Sequence, residues 1–378
     1  MTKKLKVMTV VGTRPELIKL SEVIKKLDRF TDHIFVHTGQ NYDYELNRIF
    51  FEDLGIRQPD YFLEAAGSPA ETIASVLVKV DELLFKHSPD AFLIYGDTNS
   101  CLSVISAKRR KVPIFHLESG NRCFDVRVPE EINRKIVDHT SDINMVHSSH
   151  AKEYLVSEGF DRSMIFVSGS PLFEIYETHR ESIAQSKVLK KLDLKDKKYF
   201  VLSMHREENV DSKESLGELI DTINGLCEKY DMPVVFSVHP RTRKKLDELA
   251  SHKLHSMVRQ LKPLSFSDYV ALQEKSYCVL SDSGSLTEEA SMRGFPAVMI
   301  RKSHERPEGM DGYGTVLMAP ISVDGVLDAV HMATHIDAQM PNVGRVKEYE
   351  NPFYSSMVVR VIRSYTDYIN REVWKKSL

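Results

Sequence analysis

The chain has 378 residues and a mass of 43.3 kDa, a length that points to two domains, and its 42% hydrophobic and 28% charged residues are the profile of a soluble globular protein. The 51 Lys+Arg against 54 Asp+Glu leave a net charge of −3, which argues against a nucleic-acid binder working by bulk charge but leaves room for a small basic pocket. Four scattered cysteines (Cys101, Cys123, Cys227, Cys278) form no Cys-x-x-Cys pair and suit a reducing compartment. The apolar run before Gly12 is too short for a signal peptide, and no stretch approaches the roughly 20 apolar residues of a membrane span. The expectation is a cytoplasmic protein with no membrane and no nucleic-acid partner.

Short apolar runs alternate with helical patterns along the chain. Val7–Val11 leads into Glu16–Leu27, apolar at helical spacing. His33–His37 ends in a polar turn, and Ala91–Tyr95 precedes a Ser/Ala-rich helix through Cys101 to Arg109. Val112–His116, Ile143–Val146 and Met164–Val167 continue the series. After residue 190 it restarts with Tyr199–Ser203, Pro233–Val238, Tyr277–Leu280 and Ala297–Ile300. Continuous apolar runs, rather than alternating ones, mark strands covered on both faces, and strand–helix alternation implies parallel, doubly wound sheets. The series breaks at 176–198, a charged stretch with no strand pattern. The expected domains are therefore 1–172 and 173–350. A helical tail over 351–378, with Val358, Val359, Ile362, Tyr365 and Ile369 on one face, is expected to cross back to the first domain.

The chemically loaded clusters follow strands directly. In the first half they are Gly12-Thr-Arg-Pro-Glu16, His37-Thr-Gly-Gln40, Gly96-Asp-Thr98 and His116-Leu-Glu-Ser-Gly120. The second half adds His205-Arg-Glu-Glu-Asn209, His239-Pro-Arg241, Ser281-Asp-Ser-Gly-Ser285 and His304-Glu-Arg-Pro-Glu308. Parallel sheets bind ligands beyond the carboxyl ends of their strands, so eight such clusters, four per domain, predict one cleft between two facing domains.

Within these clusters, Thr13 with Glu16 fits a capping box, and the free N–H groups of that helix start together with Arg14 make an anion site; a plain cap with a surface arginine is the other reading. Ser281-Asp-Ser-Gly-Ser285 reads the same way, with Ser285 and Glu288 offering a second box and Glu289 within reach of a ribose diol. Asp97, Glu118 and Glu130 are candidates for general acid–base work, or else caps and ion-pair partners. His205 could donate to a phosphate.

Several chemistries find no motif. There is no Gly-x-Gly-x-x-Gly after a strand, no Gly-x-x-x-x-Gly-Lys-Ser/Thr loop, no His-Glu-x-x-His and no Gly-x-Ser-x-Gly elbow around Ser283. His147-Ser-Ser-His150 has no evident third metal ligand. No cofactor and no metal is expected.

The ordered set Gly12-Thr-Arg-Pro-Glu16, His37-Thr-Gly-Gln40, Gly96-Asp-Thr98, Pro129-Glu-Glu-Ile-Asn-Arg134, His205-Arg-Glu-Glu-Asn209, Asp282-Ser-Gly284, Glu288-Glu-Ala290 and Glu305-Arg-Pro-Glu-Gly309 resembles the non-hydrolysing UDP-N-acetylglucosamine 2-epimerase family. The resemblance implies two Rossmann-like α/β domains facing a central cleft, the GT-B type, and an isomerase that eliminates UDP from C1 as C2 loses its proton, then re-adds it. Carried onto this chain, Asp97, Glu118 and Glu130, with His205, become the catalytic group. Arg14, Lys19, Arg134, His205, Ser283, Gly284 and Ser285 become the diphosphate grip, Glu289 the ribose contact, and Arg306 a residue lining the cleft. It also implies a homodimer. The chain departs from the family's usual Glu-Ala-Gly-Leu-Arg in Glu118-Ser-Gly-Asn-Arg122, has Cys123-Phe-Asp-Val-Arg-Val128 before Glu130, and carries Asn41-Tyr-Asp-Tyr-Glu-Leu46 after Gln40. This variant pattern resembles the capsule and O-antigen branch, which converts UDP-2-acetamido-2,6-dideoxy-L-talose to UDP-N-acetyl-L-fucosamine. The alternatives are a UDP-GlcNAc/UDP-ManNAc 2-epimerase, a hydrolysing epimerase, a GT-B glycosyltransferase, which would need an acceptor, and a silent UDP-sugar-binding regulator.

Overall fold

The computed structural model describes residues 4–39, 51–204, 213–238, 253–261, 264–301, 304–311, 314–336 and 344–376. It divides into two compact units, Met1–Thr178 with Glu348–Leu378, and His179–Lys347.

The first unit carries a seven-stranded sheet in which every pairing is parallel. Its strands are β1 (Lys6–Val11), β2 (Asp32–His37), β3 (Tyr61–Phe62), β4 (Ala91–Tyr95), β5 (Ile114–Leu117), β6 (Ile143–Val146) and β7 (Ile165–Val167), in the order β3-β2-β1-β4-β5-β6-β7. The helices are α1 (Arg14–Phe30), α2 (Pro69–His87), α3 (Val104–Arg109), α4 (Pro129–Thr140), α5 (Ser149–Ser157) and α6 (Pro171–Thr178). Met8, Val10, Phe92, Ile94 and Ile114 from the central strands pack with Val76, Val80 and Leu84 of α2 in one core. The fully buried strand residues explain the unbroken apolar runs: every position of β4 is buried.

The second unit has a six-stranded, all-parallel sheet of order β10-β9-β8-β11-β12-β13. Its strands are β8 (Phe200–Met204), β9 (Val234–Val238), β10 (Val258–Leu261), β11 (Cys278–Ser281), β12 (Ala297–Ile300) and β13 (Leu317–Ala319). The charged stretch that breaks the strand series holds two short helices, α7 (Arg180–Ala184) and α8 (Val188–Lys191). Beyond them lie α9 (Lys213–Tyr230), α10 (Phe266–Glu274), α11 (Ser285–Arg293) and α12 (Val323–His335). Leu216, Leu219, Ile223 and Leu226 of α9 and Val326 and Val330 of α12 pack with Phe200, Leu202, Phe236 and Leu280 from the strands.

The tail forms one helix, α13 (Tyr354–Glu372), within the first unit, where it packs against α1 and α6. Val358, Ile362 and Ile369 are buried as their spacing predicts, whereas Val359 and Tyr365 are half-buried and Val361 and Thr366 complete the inner face. The start of α13 is held by Glu174, whose carboxylate accepts from the N–H and the hydroxyl of Ser355, both at 2.7 Å. No helix of the described residues is long and apolar enough to cross a membrane.

Candidate active site

Chain order and strand order together decide which loops become neighbours. From β1 the chain moves outward to β2 and β3, then returns to β4 on the other side of β1, so the carboxyl ends of β1 and β4 flank a switch point. The loops there are Gly12-Thr13 and Gly96-Asp97, and Glu118 follows β5 alongside.

Glu16 ties the first two loops together. One of its carboxylate oxygens accepts from the N–H groups of Gly12 and Thr13, both at 2.7 Å, as the predicted capping box requires. The other accepts from the Thr98 hydroxyl at 2.8 Å. Burial pushes the Glu16 carboxyl above its ordinary value, although these hydrogen bonds oppose the shift. The Thr38 and Ser100 hydroxyls, 2.7 Å apart, link the loop after β2 to the same region.

Two of the candidate carboxylates have cations against them. Lys19, buried on α1, places Nζ 3.2 and 3.3 Å from the carboxylate oxygens of Glu118 and 5.3 Å from the centre of the Tyr95 ring. Glu118 itself has φ +63°, a left-handed backbone that is costly for a side-chain-bearing residue and clusters at functional sites. Its Oε2 lies over Gly96, 3.7 Å from where a Cβ on that glycine would stand. Arg134 donates through Nε to Asp97 at 2.7 Å and through Nη1 to Glu131 at 3.0 Å. Asn133 donates to the Asp97 carbonyl at 2.9 Å.

The remaining sequence candidates of this unit behave differently. Arg14 is exposed at the first residue of α1. Glu130 is half-buried, and among the described residues its carboxylate joins neither pair. Glu131, its neighbour, has no exposure; it takes the N–H and the thiol of Cys123 at 3.0 and 3.3 Å and the Arg134 guanidinium. Burial alone would raise its carboxyl, but these partners hold it below the ordinary value. Spacing does not separate the two, since Glu131 and Glu130 stand three and four residues before Arg134 and both lie within one turn of it; burial does, with Glu131 turned into the protein and Glu130 left half-buried.

A second buried network was invisible to sequence reasoning, because its members are far apart in the chain. Asp138 accepts from Arg122 at 2.7 Å, and the same guanidinium donates twice to Glu158, each bond 2.7 Å. Burial would raise the Asp138 carboxyl, but the His116 ring and the Arg122 charge hold it below its usual range. His147 meets the Tyr95 hydroxyl at 3.3 Å.

In the second unit β8 and β11 flank the corresponding switch point, with Asp282-Ser-Gly-Ser285 beyond β11. His205, which follows β8, lies outside the described residues. Gly284 caps α11 with helical angles, so the predicted box between Ser285 and Glu288 does not form. Instead the Ser285 hydroxyl lies 2.9 Å from that of Ser283 and donates to Glu289 at 2.7 Å, while Gln273 donates to the other Glu289 oxygen at 2.6 Å. Glu288 turns inward and takes Arg306 at 2.8 Å through Nε and 2.7 Å through Nη2. Arg306 is only 3% exposed, with Glu305 a further 3.5 Å from Nη1. Glu305 is in turn held by Arg301 at 2.8 Å. A Cβ on Gly284 would lie 2.2 Å from Glu305 Oε1, so only glycine lets this helix start approach the Arg306 cluster.

Two parallel-sheet α/β units, each with its candidate polar residues at a strand-end switch point, define a protein of the GT-B type. A sequence model of the family described as UDP-N-acetylglucosamine 2-epimerase matches residues 25–363, and the chain belongs to that family. It is an isomerase, a non-hydrolysing UDP-sugar 2-epimerase. A structure of UDP-N-acetylglucosamine 2-epimerase from Rickettsia bellii is 50% identical with a TM-score of 0.91, covering 99% of this chain and 100% of that one. The Methanocaldococcus jannaschii UDP-GlcNAc 2-epimerase in complex with UDP-GlcNAc and UDP is 30% identical with a TM-score of 0.87, covering 95% of this chain and 100% of that one. The UDP-2,3-diacetamido-2,3-dideoxy-D-glucuronate 2-epimerase of Pseudomonas aeruginosa is 34% identical over 306 residues, 80% of this chain and 84% of its own.

Proposed function

We propose that this enzyme inverts C2 of a UDP-2-acetamido sugar by elimination and re-addition, with Asp97 and Glu118 as its acid–base carboxylates. The C2 hydrogen of such a sugar is not next to a carbonyl, so direct deprotonation is too hard. Instead a carboxylate takes the C2 proton, the C–H electron pair becomes the C1=C2 bond, and the C1–O pair leaves with UDP. The resulting 2-acetamidoglycal is protonated at C2 on the opposite face as UDP re-attacks C1. The observation that carries this reading is the pairing of Glu118 with Lys19 and of Asp97 with Arg134 at adjacent strand ends. Each pair sets a carboxylate for proton transfer beside a cation suited to the departing diphosphate.

In the same reading Arg14, Ser283, Gly284, Ser285 and His205 grip the diphosphate, and Glu130 assists the acid–base pair. Glu289, already held by Ser285 and Gln273, takes the ribose hydroxyls. Arg306 is matched by two carboxylates, which supports a role in holding the Ser283–Ser285 loop.

The sugar we assign is UDP-2-acetamido-2,6-dideoxy-L-talose, converted to UDP-N-acetyl-L-fucosamine for capsule or O-antigen synthesis. The variant segment Glu118–Val128 supports it, as does the fact that relatives of similar identity carry names with different UDP-2-acetamido sugars. A second reading, UDP-GlcNAc to UDP-ManNAc, is favoured by the 50% identical Rickettsia bellii protein. A cytoplasmic homodimer belongs to the same proposal. The dimer draws support from the large apolar side chains Val78 and Phe85, seven residues apart on one face of α2 and 59% and 74% exposed.

The deciding experiment is an NMR time course in deuterated water, without acceptor, on the talo-sugar and on UDP-GlcNAc separately. Deuterium at C2 of the epimer with no net release of UDP is expected. Rapid turnover of UDP-GlcNAc with the talo-sugar untouched removes the sugar assignment. Absence of exchange from both, or turnover only with an acceptor, removes the mechanism.

A further inference from the structure

One buried carboxylate reaches all three segments that carry the candidate acids. Asp138, on α4, has no solvent exposure. Its Oδ1 lies 2.9 Å from Nδ1 of His116, and Nε2 of that ring is 2.8 Å from the Gly96 carbonyl oxygen. A carbonyl can only accept, so Nε2 donates to it; a carboxylate can only accept as well, so the 2.9 Å contact at Nδ1 is attractive with a hydrogen on that nitrogen too. Asp97 is the next residue. Asp138 also accepts from the N–H of Gly120, 3.2 Å from Oδ2 and 3.4 Å from Oδ1, two residues beyond the left-handed Glu118. Gly120 has φ +77°, and a Cβ there would come within 2.5 Å of the Ala151 carbonyl, so the loop has one path past α5. The third segment is α4 itself, one turn of which separates Asp138 from Arg134, the residue bonded to Asp97 at 2.7 Å.

Such a charge is expensive to bury. Arg122, itself fully buried, offsets it at 2.7 Å, yet apolar side chains of similar volume would serve packing as well or better. What an apolar core cannot do is bond the backbone of two strand-end loops at once. The His116 imidazole supplies the length needed to span from Asp138 to Gly96.

We propose that Asp138, acting through His116 and Gly120, is a positioning residue of the epimerisation: it sets the backbone at Gly96 and Gly120 and thereby the separation of Asp97 and Glu118. The proposal rests on the reading of those two as the acid–base pair. Proton transfer is steep in geometry, and a displacement of about 1 Å can cost on the order of 100-fold in rate. A group that only stabilises the fold lowers the amount of folded enzyme and leaves the turnover of each folded molecule alone.

The test uses the full chain, the UDP-sugar it turns over, and Asp138→Asn, His116→Gln, Asp97→Asn and Glu118→Gln in parallel. For each, kcat and KM per folded molecule, UDP affinity and deuterium uptake at C2 are measured. In Asp138→Asn, kcat and deuterium uptake should fall together by roughly 10- to 100-fold, with KM and UDP affinity within about threefold of wild type. His116→Gln keeps a donor for the Gly96 carbonyl and should lose less. Wild-type kcat per folded molecule in Asp138→Asn, or a raised KM at unchanged kcat, overturns the proposal. Should Asp138→Asn not fold, His116→Gln decides alone: unchanged kcat and deuterium uptake refute the device. Wild-type kcat in Asp97→Asn or Glu118→Gln instead sinks the acid–base reading itself, a distinct outcome.

Discussion

Lys19 Nζ is nearly equidistant from the two carboxylate oxygens of Glu118, 3.2 Å from one and 3.3 Å from the other, although the two residues are 99 positions apart in the chain. The side chains are 10% and 13% exposed, so the pair is largely withdrawn from water without being sealed from it. A buried carboxylate stripped of its cation is poorly tolerated. Lys19→Met should therefore lower kcat by about 10²-fold or more, in the range expected for disabling an acid–base group. Glu118→Gln should abolish turnover while UDP still binds, as read by calorimetry.

Asp97 and Glu131 share one guanidinium, with Arg134 Nε on the first and Nη1 on the second. Arg134→Lys supplies a point charge that cannot serve both with the same fork geometry. It should lose more than 10-fold in kcat yet stay folded. Arg134→Ala leaves Glu131, which has no exposure, with only the more distant Lys135 at 3.9 Å as a cation, and urea unfolding should show a loss of up to about 3 kcal/mol.

His37 gives the enzyme a defined acid sensitivity. It is 1% exposed and stacks on Phe62, and burial pushes its pKa from 6.5 down to about 4. The folded state thus favours the neutral ring. Between these values the unfolded chain binds the proton more readily, so stability from this residue is complete above pH 6.5 and drains away as pH falls towards 4. The loss amounts to at most about 3 kcal/mol. His37→Asn keeps an acceptor for the Gly39 N–H, bonded at 3.0 Å in the native ring, and should make the fall in stability across that window shallower. Carboxylates held low, such as Asp138 and Glu131, act only at more acid pH. Equal pH dependence in variant and wild type would contradict this account.

Gly284→Ala places a methyl group 2.2 Å from Glu305 Oε1 and 3.1 Å from Arg306 Nη1. Either Glu305 leaves Arg301 or the start of α11 moves. UDP affinity should drop by an order of magnitude or more, with a loss of about 1–3 kcal/mol in stability from overpacking. Wild-type UDP affinity would show that the Ser283–Ser285 turn does not touch the nucleotide.

Much of the fold was legible in the sequence. Central strands such as Ala91–Tyr95 are buried on both faces, so their apolar runs are long and their polar residues begin where the strand ends. The strands with no legible pattern in the sequence are β3, β10 and β13, all at sheet edges, and β10 is only half-buried along its length. An edge strand needs little apolar sequence, so it leaves little pattern. The loops after β1, β4, β5 and β11 could be singled out for the same reason: turn chemistry and charge stand directly against apolar runs.

Local pattern is enough for the parallel α/β architecture, the strand-end clusters and the ordered motifs that mark the epimerase family. Pairing, by contrast, comes into being with the folded chain. That Glu131 rather than Glu130 pairs with Arg134 depends on which side of α4 the fold buries. That Glu288 meets Arg306 rather than capping α11 depends on how the chain returns after β12. That His116, Asp138 and Gly120 converge depends on strand order. Burial raises the cost of an unmatched charge only once the fold has removed the water around it, and a linear pattern carries no record of which partner will then be within 3 Å.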